Sequence, residues 1–200
     1  LGIIGTTRAQ APKAVTEAKR MEESIRAYAS GRVAVVATGA ELADGSVKDT
    51  NFEAAVEILG ETGFEVVFGG TVGDSERDIA GRIARLAGEG FGLIITTGGV
   101  GAEEKDRTLE AMRLLDSGLA TAVLAHYTKG QGRHVKDAVR IGVATLGWTT
   151  IVSLPGPTHE VRLALPVLVE KLRKGTSPTD LVEAIAAPLR ATLPMHHEGA

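Results

Sequence analysis

The stretch Thr96-Thr97-Gly98-Gly99-Val100-Gly101 ends an apolar run with residue types suited to holding an anion. Backbone amides freed of side chains form a concave anion site, and a following helix N-terminus adds positive potential. Neither a Walker lysine motif nor the six-residue dinucleotide fingerprint fits these residues, so they read as a ligand loop or a plain tight turn. Asp106 follows in Lys105-Asp106-Arg107-Thr108, and Asp74 stands in Val72-Gly73-Asp74-Ser75. Each aspartate reads as a helix N-cap or as a carboxylate placing Mg²⁺ or a ligand hydroxyl near a phosphate. Two carboxylates beside a phosphate cradle suit metal-assisted nucleotide chemistry. Thr50 reads as a helix cap. Asn51 reads as a helix residue or a donor to a ligand, and Glu41 as a solvated or ligand-contacting loop residue. His159, after Pro155-Gly156-Pro157-Thr158, is a further ligand candidate. His126 and His134 read as structural or solvated, and His196 and His197 as tail. The histidines show no metal-ligand spacing, and no serine sits in a nucleophile elbow.

Strands must deliver these residues to one edge. Val33 to Ala37 reads as a strand buried on both faces, Glu65 to Phe68 as a second and Leu93 to Thr96 as a third. Between them lie helical patterns. One opens with a capping box at Thr50-Asn51-Phe52-Glu53 and stripes Phe52, Ala55, Val56 and Leu59. The next is capped by Asp74 or Ser75, with Ile79, Ile83 and Leu86 inward. A further helix starts near Asp106. Val139, Ile141 and Val143 alternate with polar or small residues, then Leu146-Gly147 turns the chain toward Ile151 to Leu154, as in a hairpin. A helix follows with Val161, Leu165, Leu168 and Leu172 on one face. Ser177-Pro178-Thr179-Asp180 opens a last helix, disturbed at Pro188. The expected fold is α/β with three layers: a mainly parallel sheet, helices on both faces and a small β-hairpin. In such sheets ligands bind beyond the carboxyl ends of the strands, which selects the loops Thr38 to Asn51, Thr71 to Ser75 and Thr96 to Asp106.

Residues 1–31 read as an N-terminal helical arm and residues 32–200 as the α/β domain. In the arm, Pro12 opens a helix with Ala14, Ala18, Met21, Ile25 and Tyr28 on one face, and Gly31 ends it. It packs on the body or on a second subunit. The 200 residues include no cysteine, which excludes disulfides, thiolate catalysis and Cys-type zinc sites. A net charge of −3 argues against a nucleic-acid grip built on phosphate contacts. No apolar run reaches the roughly 20 residues that span a bilayer, and no signal peptide is visible. The expectation is a cytoplasmic protein. Glycine, 25 of 200 residues, concentrates at strand-to-helix turns, where backbone must approach a ligand closely.

From Arg32 to Arg173 the chain resembles the molybdenum-cofactor biosynthesis domain family. That family includes molybdopterin adenylyltransferases and the N-terminal domain of competence-damage-inducible proteins. The matching stretches are Thr38 to Leu42, Gly45 to Asn51, Thr71 to Asp74, Thr96 to Gly101, Asp106-Arg107-Thr108 and Leu154-Pro155-Gly156. The resemblance implies a three-layer fold with molybdopterin on the glycine loop. It implies ligand contacts from Thr96, Thr97, Gly98, Gly99, Val100, Gly101, Thr108, Glu41, Thr50, Asn51, Pro155 and Gly156. In the adenylyltransferases, aspartates matching Asp74 and Asp106 are required for catalysis, which implies Mg²⁺ held there and adenylyl transfer from ATP to molybdopterin. Molybdenum insertion is the related activity. The Thr-Gly-x-Glu-Leu and Asp-Thr-Asn stretches lean toward the competence-damage group and imply instead hydrolysis of an ADP-ribose-like nucleotide diphosphate. Val100 stands where threonine or serine is common, and Leu109 where proline is frequent. Both departures suit a non-catalytic binding module. The implied partners are a small-molecule ligand, other molybdenum-cofactor proteins and further copies of the chain; neither nucleic acid nor membrane is expected.

Overall fold

A computed structural model describes residues 5, 7–8, 10–39, 49–128, 130 and 135–192. Within them, six strands form one sheet: β1 (Arg32–Thr38), β2 (Glu65–Val72), β3 (Leu93–Thr97), β4 (Ala120–His126), β5 (Ala138–Leu146) and β6 (Thr149–Leu154). Their order is β2-β1-β3-β6-β5-β4. The first four in that order run parallel, while β5 is antiparallel to β6 and β4 to β5. The hairpin read from residues 139–154 is therefore β5–β6, and β4 extends it.

Six described helices accompany the sheet: α1 (Ala11–Ser30), α2 (Asn51–Gly60), α3 (Glu76–Gly88), α4 (Thr108–Leu115), α5 (Thr158–Arg173) and α6 (Pro178–Thr192). Alternation along each strand splits the core in two. Val33, Val35, Leu93, Ile95, Val152 and Leu154 face a cluster with α2, α5 and α6. Ala34, Val36, Ile94 and Ile151 face the other way, onto α3 and α4. This burial on both faces is why β1 and β3 read as continuous apolar runs.

After β1 the chain adds β2 on one side; β3 then pairs with β1 on the other. The topological switch point, where such sheets open a crevice, thus falls between the carboxyl ends of β1 and β3. Thr38 ends one strand and Thr97 the other. On β2 the register against β1 skips Gly69, with Val35 opposite Phe68 and Val36 opposite Gly70. A Cβ at Gly69 would lie 2.8 Å from Val36 Cγ2, so the bulge needs glycine.

Several expectations need correction. Strand β4 was not foreseen, and β2 continues to Val72 rather than ending at Phe68. Thr50 makes no side-chain capping bond; Asp49 Oδ1 takes the Asn51 N–H instead. Val56 is 43% exposed, so the buried stripe of α2 is Ala54, Ala55 and Leu59. Pro188 does not disturb α6, which runs unbroken to Thr192. Ile185, Ala186 and Leu189 are buried around it, and that packing offsets the one lost backbone bond. The Ser177 cap is present: its hydroxyl accepts the Asp180 N–H and donates to Asp180 Oδ2. In the arm, α1 buries only Ala29, and Met21, Ile25 and Tyr28 are 51–64% exposed.

Candidate functional site

At the switch point the glycine loop is strapped from below. Gly98 N–H donates to the Leu154 carbonyl at 3.0 Å, and Thr108 N–H to the Gly99 carbonyl at 3.0 Å. Thr108 Oγ1 donates to the Gly98 carbonyl and Thr38 Oγ1 to the Thr97 carbonyl, each at 3.1 Å. Gly98 and Gly99 adopt φ of +94° and +62°, the left-handed region. A Cβ at Gly98 would lie 2.5 Å from the Thr38 carbonyl oxygen, and one at Gly99 would collide with Thr108 Oγ1. The straps use the Gly98 amide and the carbonyls of Gly98 and Gly99 and leave the next three donors. Among the described residues, the amides of Gly99, Val100 and Gly101 donate to no protein acceptor. All three residues line a cleft of about 570 Å³.

The same cleft is bordered by Asp74, Asp106, Asp49, Asn51, Lys105 and Glu160. Asp106 does not cap α4, whose N-cap is Arg107. Its Oδ2 accepts the Glu103 N–H at 2.8 Å, and its carboxylate lies where a Cβ on Gly101 would be. Asp74 does not cap α3 either, because Ser75 does, accepting the Asp78 N–H at 3.3 Å. Both aspartates are thus spared the capping role that was the alternative reading of each. Among the described residues no three His, Asp or Glu side chains converge to hold a metal. Mg²⁺ here fits only as an ion shared between one or two carboxylates, phosphate oxygens and water, its usual mode.

Other candidates fall differently. Thr96 and Thr97 are buried inside β3 at 0% and 1% exposure and do not line the cleft. Thr108, also 0% exposed, is a strap beneath the loop rather than a surface for ligand. Val100 is 5% exposed and lines the cleft. Thr50 Oγ1 meets Thr158 Oγ1 at 2.5 Å, and Asn51 Nδ2 donates to the Gly156 carbonyl at 2.8 Å. These bonds tie the starts of α2 and α5 together, with Pro155 and Gly156 in the wall. His159 points outward, with 69% of its side chain exposed. Glu41 and His134 lie outside the described residues.

Sequence reasoning missed Asp49, Lys105, Tyr127 and Glu160. Glu160 follows two residues after Thr158 in the first turn of α5, and only 15% of its side chain is exposed. Burial pushes its carboxyl up, while His159 pulls the other way. Leu124, Ala125 and Val139 from β4 and β5 add an apolar wall.

Known proteins share this fold. The model of the family described as "Probable molybdopterin binding domain" matches residues 34–174, more than half of the chain. The chain belongs to this family. As a family member it shares 33% identity over 165 residues with a CinA-like protein of Mycolicibacterium vanbaalenii, covering 66% of this chain and 39% of that one. A CinA-like protein of Thermotoga neapolitana is 31% identical over 141 residues. The matched stretch thus spans 39% and 34% of the length of these two curated relatives. Among solved structures, the molybdopterin biosynthesis enzyme MoaB of Thermus thermophilus matches with a TM-score of 0.56 and 28% identity, covering 74% of this chain and 98% of that one. A CinA protein of Thermoplasma acidophilum, at 20% identity and a TM-score of 0.55, shares the fold and covers 72% and 98%. No described helix is long and apolar enough to cross a membrane.

Proposed function

We propose that this chain binds a phosphorylated pterin of the molybdopterin type, with a phosphate on the amides of Gly99, Val100 and Gly101. The observation that carries the reading is those three unpaired amides, on a loop whose carbonyls and dihedrals are otherwise fixed. Fixed donors aimed at a cleft bind an anion with little further ordering cost. The family match supplies the pterin. Asp74 and Asp106 border the same cleft, and they are the residues that would hold Mg²⁺, which neutralises phosphate charge when bound.

With ATP as second substrate, a molybdopterin phosphate oxygen attacks the α-phosphorus. A new P–O bond forms, the bond to the β-phosphate breaks, and pyrophosphate leaves with the electron pair. The chain's part is to fix the attacking phosphate on the glycine loop. The CinA-like relatives and the Asp49-Thr50-Asn51 corner favour a second reading, hydrolysis of an ADP-ribose-like nucleotide diphosphate.

Pterin retention tests the first reading. The protein is purified from a molybdopterin-making host, its released ligand oxidised, and the fluorescence read per chain. Stoichiometric pterin, absent from Gly99→Asp and retained by Asp106→Ala, is expected. Folded protein without pterin overturns the pterin assignment. AMP release from ADP-ribose by that same protein would establish the second reading.

A further inference from the structure

Asp49 and Asn51 form a corner at the start of α2 whose hydrogen-bond sense is fixed. Asp49 Oδ1 accepts the Asn51 N–H at 2.8 Å. Asn51 Nδ2 donates to the Gly156 carbonyl at 2.8 Å. A carbonyl only accepts, so the Asn51 amide must turn its nitrogen to Gly156 and its oxygen elsewhere. Two oxygens are left over. Asn51 Oδ1 and Asp49 Oδ2 are both buried, and among the described residues neither meets a donor. Asn51 is 5% exposed, and both residues line the cleft.

A buried acceptor without a donor destabilises the fold, and native proteins rarely keep one unmatched. Here there are two, within three residues. Gly156, which accepts from Asn51, also packs against Gly98. The corner therefore stands beside the glycine loop. A helix N-terminus alone would favour an anion, but Asp49 already supplies the negative charge there. Phosphate is thus steered to the loop amides, and hydrogen-bond donors to the corner.

We infer that the two unmatched oxygens of Asp49 and Asn51 form an acceptor subsite for paired O–H or N–H donors carried close to the ligand's phosphate. The inference rests on the phosphate reading of the glycine loop above. It reverses the role expected for Asn51, whose amide nitrogen is turned to the Gly156 carbonyl and whose oxygen is the unmatched group. Two ligand parts share this chemistry: the vicinal hydroxyls of a nucleotide ribose and the ring N–H groups of a reduced pterin.

The test is calorimetry on the full chain with two matched pairs. One pair is AMP and 2′,3′-dideoxy-AMP. The other is 6-hydroxymethyl-7,8-dihydropterin phosphate and its fully oxidised form, which keeps N3–H and the 2-amino group but lacks the N8–H donor of the reduced ring. Pyrophosphate serves as the phosphate-only probe. Wild type is expected to prefer the donor-bearing member of one pair by about ten-fold or more. The AMP pair showing it assigns ribose; the dihydropterin pair assigns the ring. Asp49→Asn keeps an oxygen for the Asn51 N–H but replaces the second acceptor with a donor. It should level the preference while shifting pyrophosphate affinity less than about three-fold. The wild-type preference needs no variant, so poor folding of Asp49→Asn does not shield the proposal. Equal affinity within both pairs, with pyrophosphate bound by wild type and lost in Gly99→Asp, overturns the subsite and leaves the phosphate loop standing. No binding of any probe overturns both. Mg²⁺-dependent pyrophosphate binding that Asp49→Asn abolishes reassigns the two oxygens to a cation and also overturns the proposal.

Discussion

Thr38 and Thr108 hold their side-chain oxygens 3.2 Å apart beneath the glycine loop. The pair has two hydroxyl protons for three contacts, since Thr38 also reaches the Thr97 carbonyl and Thr108 the Gly98 carbonyl. A β1 residue and an α4 residue thereby fix the carbonyls on which the free amides depend. Thr108→Val keeps the shape and removes the donor, leaving the Gly98 carbonyl unpaired. The expected cost is about 1–3 kcal/mol, read as a lower urea midpoint at unchanged slope. An unchanged midpoint would show that the strap is not needed.

Gly99 and Gly101 need to be glycine for different reasons, and alanine separates them. At Gly99 the left-handed φ of +62° and the collision with Thr108 Oγ1 act together. Gly99→Ala should lose roughly 2 kcal/mol or more and all pyrophosphate binding. Gly101 has no left-handed φ, and the three atoms nearest its added methyl all belong to the Asp106 carboxylate. Gly101→Ala should therefore cost less than about 1 kcal/mol and weaken chiefly Mg²⁺-dependent binding, by displacing Asp106. Equal losses in both variants, by melting and by calorimetry, would refute that division.

The parallel half of the sheet was legible because β1 and β3 are buried on both faces and so read as unbroken apolar runs. Strand β4 was not, since Ala120, Ala122 and Ala125 carry little β-propensity and its pattern follows directly on a helix. The period of α1 predicts a helix, but a period does not say what its stripe packs against, and that stripe stays exposed. At the site, the glycine loop and both aspartates could be found from local motifs. The orientation of the Asn51 amide could not, because it depends on Gly156, 105 residues away. Thr96 was read as the strand's last residue and both Thr96 and Thr97 as ligand contacts, because threonine is common at strand ends and in ligand loops; the ladder to β6 claims them both.

Asp116 ties the end of α4 to β5. Its two oxygens accept the Thr145 and Gly118 N–H groups, each at 2.8 Å. Those bonds, Thr145 first, hold its carboxyl below the ordinary value of 3.8. A carboxyl lowered in the folded state adds stability that is fully present above the unfolded value and lost as pH falls through the folded one. Asp116→Ala should cost about 1–2 kcal/mol at pH 7. The gap between the two proteins should close progressively as the pH is taken below about 4. Urea melts at pH 7, 4 and 2 check it; a gap that widens toward acid would contradict the assignment.

Lys136 clasps the glycine loop from the far side. Its Nζ donates to the Asp106 carbonyl and pairs with Glu110 Oε1 at 2.7 Å. The amides of Val135 and Lys136 both donate to the Ala102 carbonyl, at 2.9 and 3.0 Å. Among the described residues Glu110 Oε2 is buried without a donor, and Lys136 is the cation paired with Glu110. Lys136→Met leaves the Glu110 charge uncompensated. The two side chains are 25% and 28% exposed, so the cost should fall below that of a fully buried pair, at roughly 1–3 kcal/mol. Glu110→Gln added to Lys136→Met removes the stranded charge and should recover part of the loss. The resulting coupling energy should exceed about 0.5 kcal/mol. Amide hydrogen exchange at residues 99–103 should quicken in Lys136→Met and slow again in the double variant. Purely additive melts, with exchange unchanged across the series, would mean that the loop is held by the backbone bonds to Ala102 alone.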